Sequence, residues 1–351
     1  MTENMEIQSA DGPQRCTENG WFSWLRWRPT SLRSLIKSEE KMMSVVKSKH
    51  QKEFVRLPNG NMIWTLMFNK EIEDKTPLVM VHGMAGGIGL FALNYDALVG
   101  KRPVYAFDLL GFGRSSHPNF EKDAIDSENQ FVESIEQWRD SVGLNKMIIL
   151  GHSFGGYLAS SYALKYPERI EHLILADPWG FPAWKADDTR VRRIPWWARG
   201  LVKVLSPFNP LAAVRGSGPL GPRLIRLRGD LGEKFNDLSE EDDPSPVFDY
   251  IYHCNAQNPS GEVGFKNLTE KIGFALNPMI ERIGGLKPGM PVSFVYGART
   301  WMDSKCGNQT QELLPDNDVQ VYSIKAAGHH VYADQPDNFH KVVNSICENI
   351  K

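Results

Sequence analysis

Short apolar runs alternate with amphipathic stretches over most of the chain. Glu53 to Leu57 and Met62 to Phe68 read as strands joined by Pro58-Asn59-Gly60-Asn61, in which Asn-Gly is a hairpin signal. Pro77 to Val81, Pro103 to Phe107, Lys146 to Leu150, Glu171 to Ala176, Met290 to Tyr296 and Val319 to Ile324 are further strand-like runs. Helical periods span roughly Ser127 to Val142, Gly156 to Tyr166 (stopped by Pro167) and Pro336 to Asn349. An earlier helix starts at Thr30 or Ser31. It places Leu32, Leu35, Ile36, Met42, Met43 and Val46 near one face, to dock on the core or to extend a membrane contact. From about Pro182 to Lys287 the alternation stops, and prolines, glycines, tryptophans and arginines crowd in. The pattern predicts an α/β protein with an eight-stranded, mostly parallel sheet and an inserted, mainly helical cap. The expected divisions are an N-terminal arm and helix over 1–50, core over 51–181, cap over 182–287, and core again over 288–351.

Composition narrows the partners. A formal net charge of -2 on 351 residues gives no global attraction to nucleic acid, and none is expected as a partner. Cys16, Cys254, Cys306 and Cys347 share no metal-ligand spacing, so neither a disulfide framework nor a metal site is expected. No apolar run approaches membrane-spanning length, and the polar first twenty residues read as disordered rather than as a signal peptide. Met1-Thr2 offers no N-myristoyl glycine. A cytoplasmic location is expected, with any membrane met from the side. The arm Trp21-Phe22-Ser23-Trp24-Leu25-Arg26-Trp27 suits that contact: indole rings favour the headgroup level, and arginine complements anionic lipid. Within the cap, Trp196 to Leu205 puts Trp197, Leu201, Val204 and Leu205 on one helical face and Arg199 and Lys203 on the other. It reads as an interfacial helix or an ordinary packed one.

Candidate chemistry centres on Gly151-His152-Ser153-Phe154-Gly155, a serine between glycines on a strand-to-helix turn. Such a turn lifts the Ser153 hydroxyl out of the sheet edge. A hydroxyl needs a base to become nucleophilic, and the base needs an orienting carboxylate. His329, after the last strand and directly behind Gly328, is preferred to His330 as that base. For the acid, Asp303 follows the penultimate core strand and is preferred to Asp177, although it falls later than the commonest position, which Thr300 occupies. The N–H groups of Met84 and Phe154 are the expected oxyanion donors. The glycines at 86, 87 and 89 serve close approach of a ligand or a plain turn; a phosphate loop lacks its Lys-Ser/Thr ending. His329 and Asp334 also have the H-x-x-x-x-D spacing that glycerolipid acyltransferases use, while Asp334 reads more simply as a helix N-terminal residue. No cofactor is expected.

The elbow, Asp108 to Ser116 and Ala327-Gly328-His329 resemble the α/β-hydrolase superfamily. Trp24 to Ser31, Arg102 to Ser116, Asn129 to Ile135, Ala176 to Pro182, Tyr250 to Glu262 and His329 to Pro336 are similar to one subfamily within it. That subfamily holds the N-acyl-phospholipid lysophospholipase and its lipid-droplet paralogue, the coactivator of adipose triglyceride lipase. The paralogue has Asn at the elbow; Ser153, and Tyr252 to Asn258, resemble the enzyme. The resemblance implies removal of O-acyl chains from N-acyl phosphatidylethanolamine and its lyso form, at a lipid-droplet or endoplasmic-reticulum surface. The paralogue adds two alternatives: a regulator with a lipase partner, and a lysophosphatidate acyltransferase.

Overall fold

The computed structural model describes residues 30–184, 211–218, 221–226, 229–235, 238, 246–271, 273–348 and 350. The Trp21, Phe22, Trp24 and Trp27 arm and the Trp196 to Leu205 segment lie outside them.

Eight strands form one sheet: β1 (Gln51–Arg56), β2 (Met62–Phe68), β3 (Leu78–Val81), β4 (Val104–Phe107), β5 (Met147–His152), β6 (Ile170–Ala176), β9 (Val292–Gly297) and β10 (Val319–Ile324). Their spatial order is β1-β2-β4-β3-β5-β6-β9-β10. β1 and β2 form an antiparallel hairpin, β2 meets β4 antiparallel, and every pair from β4 to β10 is parallel. In β3, Val79 and Val81 join the core on one face of the sheet, and Leu78 and Met80 join the core on the other. Burial on both faces is why the central strands read as unbroken apolar runs.

Helices cover both faces. α3 (Ala124–Ser141) and α4 (Phe154–Lys165) contribute Phe131, Trp138, Leu158 and Tyr162 to one core. α3 begins three residues before the expected start because Asp123 caps it, its carboxylate accepting the N–H groups of Ile125 and Asp126. On the other face lie α1 (Leu32–Met43), α2 (Tyr95–Leu98) and, after α10 (Lys305–Leu313) and α11 (Val331–Asp334), the final α12 (Pro336–Glu348). Ser31 is the N-cap of α1. Leu35, Met42 and Met43 are buried against the core, so the helix docks; Leu32 stays 55% exposed.

Between β6 and β9 the described residues form five α-helices, two short 3-10 turns (Met279–Glu281 and Ile283–Gly285) and a small hairpin, β7 (Thr269–Lys271) with β8 (Phe274–Ala275). The helices are α5 (Ala212–Gly216), α6 (Gly221–Arg226), α7 (Gly229–Lys234), α8 (Pro246–Asn255) and α9 (Gly261–Leu268). α8 packs against α1 and α9 against α3. No helix among the described residues is long and apolar enough to cross a membrane.

Candidate active site

Ser153 stands between β5 and α4 with φ 53° and ψ -117°. That conformation is costly for a residue with a side chain. The turn is packed too tightly for side chains on either flank: a Cβ at Gly151 would lie 2.3 Å from the carbonyl oxygen of Gly155, and one at Gly155 2.4 Å from that of Val81. The two glycines let β5, α4 and β3 close around the turn. The Ser153 carbonyl accepts the N–H groups of Gly156, Tyr157 and Trp179, which fixes the elbow to the helix and to the end of β6.

His329 reaches Ser153 from the loop after β10. Its Nε2 lies 3.0 Å from Ser153 Oγ, and its Nδ1 lies 2.6 Å from Asp177 Oδ2. His330, the neighbour, instead has Nδ1 3.4 Å from Lys234 Nζ of α7. His152 is buried and neutral, since burial pushes its imidazole well below the usual range; its Nε2–H donates to the His329 carbonyl at 3.0 Å. Asp334 accepts the Gly328 N–H at 2.8 Å and pairs with Lys234 at 3.2 Å. It closes α11 rather than opening α12, and it clamps the backbone of the histidine loop at Gly328. The two members of the H-x-x-x-x-D spacing thus have different partners: Asp334 holds Gly328 and Lys234, and His329 Nδ1 faces Asp177.

The expected acid is corrected. Asp177, not Asp303, occupies the hydrogen-bond position at His329 Nδ1. Asp177 directly follows β6, is fully buried and has φ 47°. Thr300, at the commonest acid position after β9, donates its hydroxyl to Asp177 Oδ2 at 2.5 Å, and the Gly297 N–H reaches Oδ1 at 3.3 Å. The side chain after β9 thus supports a carboxylate delivered from β6. Asp303 lies three residues further on, where its Oδ1 accepts the Lys305 N–H as α10 begins. Thr300 at that position was the sequence signal for Asp177. Burial drives the Asp177 carboxyl well above the usual range, and the Thr300 and Gly297 donors oppose it.

The loop after β3 faces the elbow. A Cβ at Gly83 would lie 2.9 Å from the Cβ of Ser153, so this backbone runs directly beside that serine. His82 anchors it: Nδ1–H donates to the Gly83 carbonyl at 2.8 Å, and Nε2 accepts the Leu109 N–H at 2.9 Å. Burial lowers His82 to about 4, so it remains a neutral spacer at physiological pH. Phe154, the first residue of α4, has no carbonyl one turn earlier within that helix to receive its N–H.

A serine–histidine–aspartate line at the ends of parallel strands goes with what the chain is similar to. The family model of the alpha/beta hydrolase fold matches residues 76–336. The chain belongs to the α/β-hydrolase fold family. Among its hydrolase-fold relatives, the human 1-acylglycerol-3-phosphate O-acyltransferase ABHD5 is 51% identical over 351 residues, covering 99% of each chain. The (lyso)-N-acylphosphatidylethanolamine lipase of Bos taurus is 49% identical over 334 residues, covering 94% of this chain and 97% of that one. Both kinds of relative are those the sequence resemblance implied. Among solved hydrolase folds, the carboxylesterase CesB of Bacillus subtilis superposes with a TM-score of 0.65 at 17% identity, over 91% of this chain and 99% of that one. A bacterial membrane phospholipase A gives 0.61 at 19% identity, over 90% of each chain. These two likenesses carry the fold alone.

Proposed function

We propose that this protein is a serine hydrolase that removes O-acyl chains from glycerophospholipids, with N-acyl phosphatidylethanolamine and its lyso form as substrates. The observation that carries this reading is the continuous line Ser153 Oγ, His329, Asp177, at 3.0 and 2.6 Å. The lipase relatives support the substrate class. Ser153 attacks the acyl carbonyl while His329 Nε2 takes the hydroxyl proton. Asp177 holds Nδ1–H and stabilises the imidazolium that forms. The N–H groups of Met84 and Phe154 receive the oxyanion; losing one such donor typically costs about 3 kcal/mol of transition-state stabilisation. The imidazolium then protonates the departing glycerol oxygen, leaving an acyl-enzyme. Water attacks that ester, giving its proton to His329, and the free fatty acid leaves as Ser153 recovers its hydrogen.

The protein acts at a lipid surface in this reading, with the Trp21 to Trp27 arm as its contact and a droplet or endoplasmic-reticulum membrane as its site. Purified protein should hydrolyse lyso-N-acyl phosphatidylethanolamine, and Ser153→Ala should not. Equal rates for the two would remove the mechanism.

A second reading rests on the relatives named as 1-acylglycerol-3-phosphate O-acyltransferase. With Asp334 engaged by Gly328 and Lys234, acyl transfer would proceed through the same Ser153 ester, with a lysophosphatidate hydroxyl replacing water. Phosphatidate formation should then vanish in Ser153→Ala and survive, reduced, in Asp334→Asn. The opposite pattern would restore a His329–Asp334 mechanism. A lipase-regulating role remains the alternative if Ser153→Ala retains full stimulation of a partner lipase and the wild type shows no turnover of its own.

A further inference from the structure

The glycines at 87 and 89 do not leave open space. A Cβ at Gly87 would come within 2.4 Å of the Tyr250 hydroxyl oxygen, and one at Gly89 within 2.8 Å of Tyr250 Cζ. The Gly89 N–H donates to that hydroxyl at 2.9 Å. α8 of the insertion therefore packs directly on the loop that carries Met84. Further along α8, Asn255 is 4% exposed, and its Nδ2 donates to the carbonyls of Ala85 at 2.8 Å and Ile251 at 2.7 Å. Both partners are carbonyl oxygens, so only the amide nitrogen can face them.

The bond to Ala85 reaches the reacting centre through rigid peptide planes. Ala85 has φ 62°, a left-handed conformation that a residue other than glycine keeps only where its surroundings hold it. Its carbonyl shares a planar peptide with the Gly86 N–H, which donates to the Gly83 carbonyl at 3.1 Å. The Gly83 carbonyl in turn shares a plane with the Met84 N–H and points the opposite way from it. Fixing the peptide after Ala85 therefore fixes the direction of the Met84 donor.

We propose that Asn255 is a positioning residue: through Ala85 and the Gly86–Gly83 bond it aims the Met84 N–H at the oxyanion, so the insertion completes the reactive loop. This rests on the serine-hydrolase reading of Ser153. The test uses the full chain and Asn255→Ala, with Asn255→Ser given the same measurements should the alanine variant not fold. Hydrogen–deuterium exchange should quicken in the peptide spanning residues 83–91 and stay unchanged in β5 and α4. With a water-soluble p-nitrophenyl ester, kcat should fall about tenfold to a hundredfold while KM stays within about twofold, as befits loss of an interaction made in the transition state. Unchanged exchange in residues 83–91 overturns the inference whatever the activity. Faster exchange with unchanged kcat also overturns it, since the loop would then be held for stability alone. If the wild type itself turns over no ester and takes no fluorophosphonate label at Ser153, the hydrolase reading fails, and the positioning role fails with it even where exchange shows that Asn255 holds the loop.

Discussion

Asp177 Oδ2 lies 2.6 Å from His329 Nδ1, although β9 separates the strand just before Asp177 from the strand that leads to His329. The two side chains approach each other across the end of β9, and Thr300, from the loop that follows it, donates to the same carboxylate oxygen.

The first expectation separates the two candidate acids. Asp177→Asn should lower kcat by about 10⁴-fold, because the amide no longer holds the tautomer and charge that His329 needs. Asp303→Asn should stay within about threefold of wild type, since its carboxylate accepts a backbone N–H at the start of α10. Steady-state hydrolysis of a soluble ester by both variants decides it; the reverse ranking would return the acid to Asp303.

Thr300→Val removes the hydroxyl that lowers the Asp177 pKa. The sign follows directly: without that donor the carboxyl holds its proton to higher pH. The ascending limb of the kcat/KM profile, which belongs to the coupled Asp177–His329 pair, should move up by about one pH unit, the size expected for a hydrogen bond to a charged group. A profile with an unmoved ascending limb would show that this hydroxyl does not tune the pair.

Strain at the elbow predicts a trade between stability and activity. Ser153→Gly and Ser153→Ala should both be inactive. The glycine variant adopts φ 53° without a side-chain penalty, so it should be more stable than the alanine variant by about 1 kcal/mol after its larger unfolded-state entropy is counted. Urea unfolding followed by circular dichroism measures the difference; equal midpoints would mean that the turn stores no strain.

Asp108 gives a pH signature unrelated to turnover. It is fully buried, and burial followed by the charge of Glu39 raises it to about 7, against the lowering effect of its bonds from the Arg114 and Ile88 N–H groups. Between its unfolded value of 3.8 and about 7 the folded state holds the extra proton, so stability should fall as pH rises through that window. Asp108→Asn should flatten this dependence, although it loses one of the two backbone donors that the carboxylate satisfies. Denaturation midpoints at pH 4.5 and 7.5 test it; parallel lines for the two proteins would count against the raised value.

Much of the fold was legible because its signals are local. Eight apolar runs, the Asn-Gly turn and the glycine-flanked Ser153 each express a short-range constraint: burial on both faces, a positive φ at Gly60, or a turn that excludes side chains. The placement of His329 beside Ser153 was legible for the same reason, the residue being tied to the end of the last strand. The docking of α1 was open, because the same apolar face suits a core or a lipid surface. Glu39 on that helix is fully buried and accepts the Trp64 indole N–H at 2.9 Å, a partner that no helical period reveals.

The sequence by itself determined that a serine would stand on a strained turn with a histidine after the last strand, since chain connectivity and local sterics suffice for both. Only the tertiary structure decided which carboxylate faces His329 Nδ1. Asp177 and Asp303 follow adjacent strands of one parallel sheet, and their spacing along the chain is silent about which one the His329 loop meets. Lateral strand order brought Asp177 within reach and gave Thr300 the supporting bond. The reach of Asn255 to the loop beside the nucleophile was equally beyond the sequence. Its 170-residue separation from Ala85 is closed by the packing of α8, and no local pattern encodes a contact between two elements that far apart.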